Sequence, residues 1–280
     1  MVDPHDTPPP FQGQHADLPG VRLWYVDTGG SGPVVFLLHA NTSTVRSWDR
    51  QLMALHAAGL RAIAFDRRGW GQSFAVPTSG PQPGSIAEDL EALANHLGLT
   101  RFRLIGIAGG GFAALDYAAW QPQRLEQLVI AGSNGQFSEP LMQDFYARIA
   151  VPGLTGRIEV RPYLEVGVAY RSEDPEGFAR FIAMEHAARQ SGAPAQPLRS
   201  PNTFAKVATI RTPTLILMGG ADLLAPPALM RTWSKHLPDV RYAEIGDAGH
   251  SINWERPDEF NHLVLDFLQS CPTLTQSSIL

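Results

Sequence analysis

"LIGIAGGGFAAL", residues 104–115, reads as a buried strand that turns sharply through glycines into a helix. Turns of this kind often present a nucleophile at their apex. Here the apex is Ala108, whose methyl group attacks nothing. The flanking Gly106 and Gly110 suit a strained turn in which backbone passes close to backbone, and Gly109 and Gly111 add room for close packing.

The same alternation continues on both sides of this turn. Residues 21–26 read as a strand ending in a glycine-rich turn. Residues 34–38 form a continuous apolar run, the form a strand takes when a parallel sheet buries both its faces. Trp48, Leu52, Leu55 and His56 fall at helical spacing, and Gly59 supplies the stop. "RAIAFD", residues 61–66, is another short buried strand. Ser85 followed by Glu88 is a capping-box signature, because each side chain can bond the other's free backbone N–H. Ile86, Leu90, Leu93 and Leu97 then line one helix face. Further strands are expected at 102–105, 125–131, 214–218 and 241–245, with helices around 112–120, 228–237 and 259–268. This order predicts an α/β fold with a mainly parallel sheet flanked by helices.

The stretch 136–206 breaks the rhythm. It carries seven prolines, short helical patterns at 141–149 and 175–189, and no strong strand. We expect a helical cap inserted between two sheet strands, placed to roof a pocket at the carboxyl edge of the sheet. The expected layout is a flexible lead-in over 1–20, a core over 21–135 and 207–271, the cap over 136–206, and a tail over 272–280.

Composition narrows the function. The 280 residues are 44% hydrophobic, enough for a sizeable core. Net charge is −5 with scattered Lys and Arg, which points to neither a nucleic acid nor a membrane surface as partner. Residues 1–20 lack the pattern of a signal peptide, and no apolar run approaches bilayer length. The single cysteine, Cys271, excludes an internal disulfide and suits a cytoplasmic location. No metal pattern stands out, since the histidines lack zinc-ligand spacing and cysteine companions. The glycine turn lacks the Gly-x-Gly-x-x-Gly spacing of a dinucleotide site, so no cofactor is implied. A small-molecule substrate is the expected partner.

Two more segments complete a constellation. Asp222 follows the strand at 214–218 in "MGGAD", and His250 follows the strand at 241–245 in "GDAGHS". The order of elbow, acid and histidine resembles the α/β-hydrolase superfamily, whose turn usually reads Gly-x-Ser-x-Gly. "LLHAN" at 37–41 and "FDRRGWGQS" at 65–73 are similar to further segments of that superfamily. The resemblance implies His250 as general base and Asp222 as the acid that orients it. It implies an oxyanion hole from the backbone N–H groups of Gly109 and Asn41. His39 is expected to be structural, and Arg67 and Arg68 to hold their loop by pairing with a carboxylate; contact of one of them with an anionic substrate is the other use of such a charge. Asp247 and Glu244 sit badly for the family's order. Trp48, Phe137 and Tyr146 are the aromatics placed to line a substrate pocket, with Trp70 beside them; core packing is the other use of such rings.

Ala108 departs from the family pattern, and without a hydroxyl there is no acyl-enzyme. Three explanations compete. His250 and Asp222 could act as a dyad in hydrolysis, ring opening or carbon–carbon cleavage of a small carbonyl compound. Ala108 could replace a serine and silence a serine hydrolase. The fold could bind a small ligand without chemistry. Ser43, Ser47 and Ser251 lie on loops near the expected site but not at the elbow, so they make poor substitutes.

Overall fold

In the computed structural model, which describes residues 10–154 and 156–270, the central strands are buried on both faces. The strands are β1 (Gly13–Leu18), β2 (Val21–Asp27), β3 (Val34–Leu38), β4 (Arg61–Phe65), β5 (Phe74–Ala75), β6 (Phe102–Ile107), β7 (Leu125–Ala131), β8 (Thr214–Gly219) and β9 (Val240–Ile245). They form one sheet in the order β1-β2-β4-β3-β6-β7-β8-β9, with β5 paired to β2. β2 runs antiparallel to β1, β4 and β5, and every pairing from β4 to β9 is parallel.

The period-two alternation of strand side chains builds two apolar layers. Phe36, Leu104, Ile130 and Ile216 face one layer, with α2 (Ile86–His96), α3 (Gly109–Trp120) and α9 (Pro227–Ser234) packed on it. Leu37, Ile105, Val129 and Leu217 face the other, covered by α1 (Asp49–Ala57) and α11 (Pro257–Ser270). Helix α2 starts where its sequence signature placed it. The Ser85 hydroxyl accepts from Glu88 N–H at 3.2 Å, and the Glu88 carboxylate accepts from Ser85 N–H at 3.0 Å.

The parallel strands end in step. Leu38 pairs with Gly106, Gly106 with Ile130, Ala131 with Leu217, and Gly219 with Ile245. The loops carrying His39, Ala108, Asp222 and His250 therefore leave the same edge of the sheet. Between β7 and β8 lie α4 (Pro140–Ile149), α5 (Arg161–Glu165), α6 (Val168–Glu173), α7 (Pro175–Ala188) and α8 (Phe204–Val207). Helix α10 (Ile252–Glu255) follows the histidine loop.

The expected lead-in is corrected in part. Residues 13–18 form β1, an edge strand paired to β2 along its length, with Ala16 and Leu18 turned inward. Two inward apolar side chains and an antiparallel partner are enough to fix an edge strand. The rest of that segment before residue 10, the tail at 272–280 and Cys271 lie outside the described residues. Among the described residues, no helix is long and apolar enough to cross a membrane.

Candidate active site

The elbow is a strained turn. Ala108 has φ 49° and ψ −116°, a left-handed conformation that costs a non-glycine residue on the order of 1–3 kcal/mol. It is held from both sides: Ala108 N–H donates to Ala131 O at 3.0 Å, and Ser133 hydroxyl donates to Ala108 O at 2.8 Å. A Cβ on Gly106 would strike the Gly110 carbonyl, and one on Gly110 would strike the Leu38 and His39 carbonyls. The turn can form only with hydrogen at those positions. Gly109 opens α3, so its N–H lies at the positive end of a helix of 12 residues.

His250 and Asp222 meet from the loops after β9 and β8. The imidazole Nδ1 lies 2.8 Å from Asp222 Oδ2 and 3.1 Å from Oδ1. Asp222 is itself fixed, since its Oδ1 accepts from the N–H groups of Leu224 and Ala225, each at 2.8 Å. A carboxylate on Nδ1 assigns the proton to that nitrogen and leaves Nε2 as the basic atom. Burial pulls the His250 pKa down, but Asp222 and, beyond it, Glu165 and Glu255 outweigh burial and hold it above the ordinary imidazole value.

The loop after β3 is pinned by two basic side chains. Burial and the Arg67 charge press the His39 pKa down to about 3, so its ring is neutral. Its Nδ1 lies 2.7 Å from Ala40 O, and its Nε2 accepts from Arg67 N–H at 3.2 Å. Arg67 donates to Asn41 Oδ1 at 2.7 Å and Ala40 O at 2.8 Å, and Trp70 Nε1 donates to Asn41 O at 2.8 Å. Arg67 thus holds its loop through neutral carbonyls rather than the carboxylate expected. Arg68 does pair with a buried carboxylate, Asp89, at 2.7 Å. Asp247 and Glu244 form exposed ion pairs with Arg256 and Arg231.

A cavity of 290 Å³ brings these loops together, lined by Asn41, Ala108, Gly109, Tyr146, Glu165 and His250 among others. A second, much smaller cavity of 10 Å³ shares Ala108 and His250 with it and also touches Ser43, Ser47, Ser251 and Trp254. Ser47 and Trp254 also line a cleft of 1060 Å³ beneath α7. Ser47 and Ser43 are occupied with each other, hydroxyl to hydroxyl at 3.2 Å.

Of the three aromatics expected at the substrate, Tyr146 alone lines the 290 Å³ cavity. Its hydroxyl accepts from Phe137 N–H at 3.0 Å and donates to Asn134 O at 2.9 Å. Trp48 and Phe137 are corrected to core residues. Trp48 is 0% exposed and packs on Phe260, and Phe137 is 1% exposed between Phe204 and Trp233. Both rings find full burial beside helices, which is worth more to an apolar ring than a partly wet cavity wall.

Two carboxylates here were not anticipated. Glu165, from the inserted helices, accepts from the Thr42 hydroxyl at 2.7 Å, and its main-chain oxygen accepts from His250 N–H at 2.9 Å and Ser251 N–H at 3.0 Å. Burial raises its pKa, against the pull of His250 and Thr42. Glu255 accepts from Gly249 N–H at 2.8 Å, Gly167 N–H at 2.9 Å and Ser251 N–H at 3.1 Å. Burial raises its pKa too, opposed by those three donors. A clue was present: Glu165 stands between Leu164 and Val166, an acid inside a short apolar run. Among the described residues no cluster of His, Cys, Asp and Glu is arranged to hold a metal ion.

Comparison with known proteins agrees with this fold. A family model described as alpha/beta hydrolase fold matches residues 33–257. The chain is 28% identical over 268 residues to a 2-hydroxy-6-oxononadienedioate/2-hydroxy-6-oxononatrienedioate hydrolase of Paraburkholderia phymatum, covering 89% of this chain and 91% of the relative. Among solved structures it is similar to an esterase from Thermogutta terrifontis, with TM-score 0.77 and 24% identity over 91% of this chain and 98% of that one. It is also similar to the enol-lactonase from Burkholderia xenovorans, with TM-score 0.76 and 23% identity over 92% of this chain and all of that one (100%).

Proposed function

Because the chain belongs to the α/β-hydrolase fold family, we propose that it hydrolyses a small carbonyl compound, whether ester, lactone or carbon–carbon bond beside a carbonyl, without an acyl-enzyme. The names of its relatives fall within that range of substrates. His250 Nε2 removes a proton from water, and the hydroxide adds to the carbonyl carbon. The backbone N–H groups of Gly109 and Asn41 receive the oxyanion, whose charge the positive end of α3 favours. Collapse breaks the bond to the leaving group, which takes the proton back from His250. Asp222 holds the imidazole in its working tautomer and stabilises the cation between the two transfers.

One observation carries this reading. A buried histidine keeps a 2.8 Å contact to a buried carboxylate in a cavity that also holds the elbow. A protein that only bound a ligand would have no physical use for that pair. The expected acceleration is modest, because loss of one triad member leaves on the order of 10³–10⁴-fold over water.

The test is turnover of short p-nitrophenyl esters and lactones by the protein and by His250→Ala. Turnover that His250→Ala abolishes supports a dyad. A second reading is favoured by the backbone at Ala108, which keeps a costly φ of 49° for a side chain with no chemistry. On that reading the alanine silences a serine hydrolase. Only Ala108→Ser would then turn over esters and react with a fluorophosphonate.

A further inference from the structure

The chamber at Ala108 carries a charge pattern of its own. Among its described lining residues, Glu165, His250 and Tyr146 are the ionisable side chains, and none is Lys or Arg. Arg67, behind the loop, has its guanidinium committed to the carbonyls of Asn41 and Ala40 and stacked on Trp70 with 4.3 Å to the ring centre. Arg161 lies 3.4 Å from Glu185 and does not line the chamber, though its charge also reaches Glu165. Glu165 is 6% exposed and fixed by Thr42, so it cannot swing into bulk water when a ligand arrives. Three more carboxylates stand around it and His250: Asp222, Glu185 and Glu255. One imidazole thus faces three acidic side chains, with Glu185 beside Glu165, and an incoming carboxylate would find acid groups and no Lys or Arg to pair with.

We infer that Glu165 is the specificity-determining residue of this chamber, selecting uncharged carbonyl compounds and rejecting those with a carboxylate on the portion that enters it. Glu165 need not touch the reacting atoms to act this way. Its charge sets which ligand bodies are tolerated, while His250 and the backbone donors address the carbonyl. The inference builds on the hydrolytic reading for kinetics but not for binding.

A matched pair tests it. p-Nitrophenyl valerate and mono-p-nitrophenyl glutarate have equal acyl length and differ by a terminal methyl against a carboxylate. At about pH 8.5, where the glutarate ester's own carboxylate is fully ionised, the valerate ester should lead in kcat/KM by about tenfold or more. Glu165→Gln keeps the shape and the contact to Thr42. It should narrow the ratio to about threefold or less, mainly by lowering KM for the glutarate ester. Equal use of both esters by the unaltered protein overturns the inference. So does a Glu165→Gln variant that slows both esters alike, which is what a purely structural carboxylate would do. Binding of 2-hexanone and 5-oxohexanoate, followed by saturation-transfer NMR on the unaltered protein, supplies an arm free of catalysis and of any variant's folding. If neither ester turns over but the ketone binds and the oxo-acid does not, the hydrolytic reading falls and the selectivity stands. If both bind alike, the selectivity falls whatever the kinetics.

Discussion

On the proposed function His250 is the residue on which the chemistry turns, and its surroundings fix the sign of its pH dependence. Burial lowers its pKa, and the carboxylates of Asp222, Glu165 and Glu255 more than reverse this. A general base works only when neutral, so kcat/KM should fall with decreasing pH through a midpoint above the ordinary value of about 6.5. Asp222→Asn should move that midpoint down and lower kcat by at least about 10²-fold, because the wrong tautomer is then favoured. A pH–rate profile of both proteins checks the direction. Glu185 offers a second readout, in stability. Burial and the nearby Glu165 raise its pKa to about 7 from 4.5, with Arg161 opposing. The folded state therefore binds more protons than the unfolded state between those values, and stability falls as pH rises through that window. Glu185→Gln should stabilise the protein by about 1–2 kcal/mol at pH 8 and change little at pH 4.5, as read by urea unfolding at both.

Elements show how far a sequence speaks for itself. The capping box at Ser85 was visible in the spacing and is present in the fold, so its cost is open to measurement. Ser85→Ala should lower stability by about 1 kcal/mol, seen as a drop in the urea midpoint with an unchanged slope. The inner strands were legible because burial on both faces demands unbroken apolar runs such as Val34–Leu38. β1 was not, because an edge strand of six residues needs only Ala16 and Leu18 inside and reads otherwise as polar chain. α5 and α6 have five and six residues, too short for a helical period to emerge. At the candidate site, the elbow, Asp222 and His250 were legible from chain order, each following its own strand. Glu165 and Glu255 were not, since a glutamate on a helix ordinarily marks the solvated face and only tertiary packing buries these two. Trp48 and Phe137 erred the other way: their ring size fits a ligand wall and a core equally, and only the helices beside them decide.

At the scale of the whole molecule, one carboxylate ties the inserted helices to the sheet edge that carries the candidate site. Glu255, in α10, accepts from Gly167 in the insertion and from Gly249 and Ser251 in the histidine loop. The insertion answers with its own Glu165 carbonyl, which takes the N–H groups of His250 and Ser251. The two contacts brace each other, so the roof and the base should open together rather than separately. Glu255→Ala strips the buried amides of Gly167 and Gly249 of their acceptor and leaves Ser251 with the Glu165 carbonyl alone, and an unmet buried donor is costly. Unfolding free energy should fall by about 2–4 kcal/mol. The exposed pair of Asp247 and Arg256 lies in the same region, and Asp247→Ala should cost far less because water replaces the lost partner. Hydrogen exchange separates a local from a global effect. In Glu255→Ala the amides of Gly167, Gly249 and Ser251 should lose protection together, and His250 with them, while the amides of β6 and β7 should slow or quicken only as far as the global stability moves. Loss of protection at Gly167 alone would mean that the insertion moves independently of the histidine loop, and the bracing would not be real.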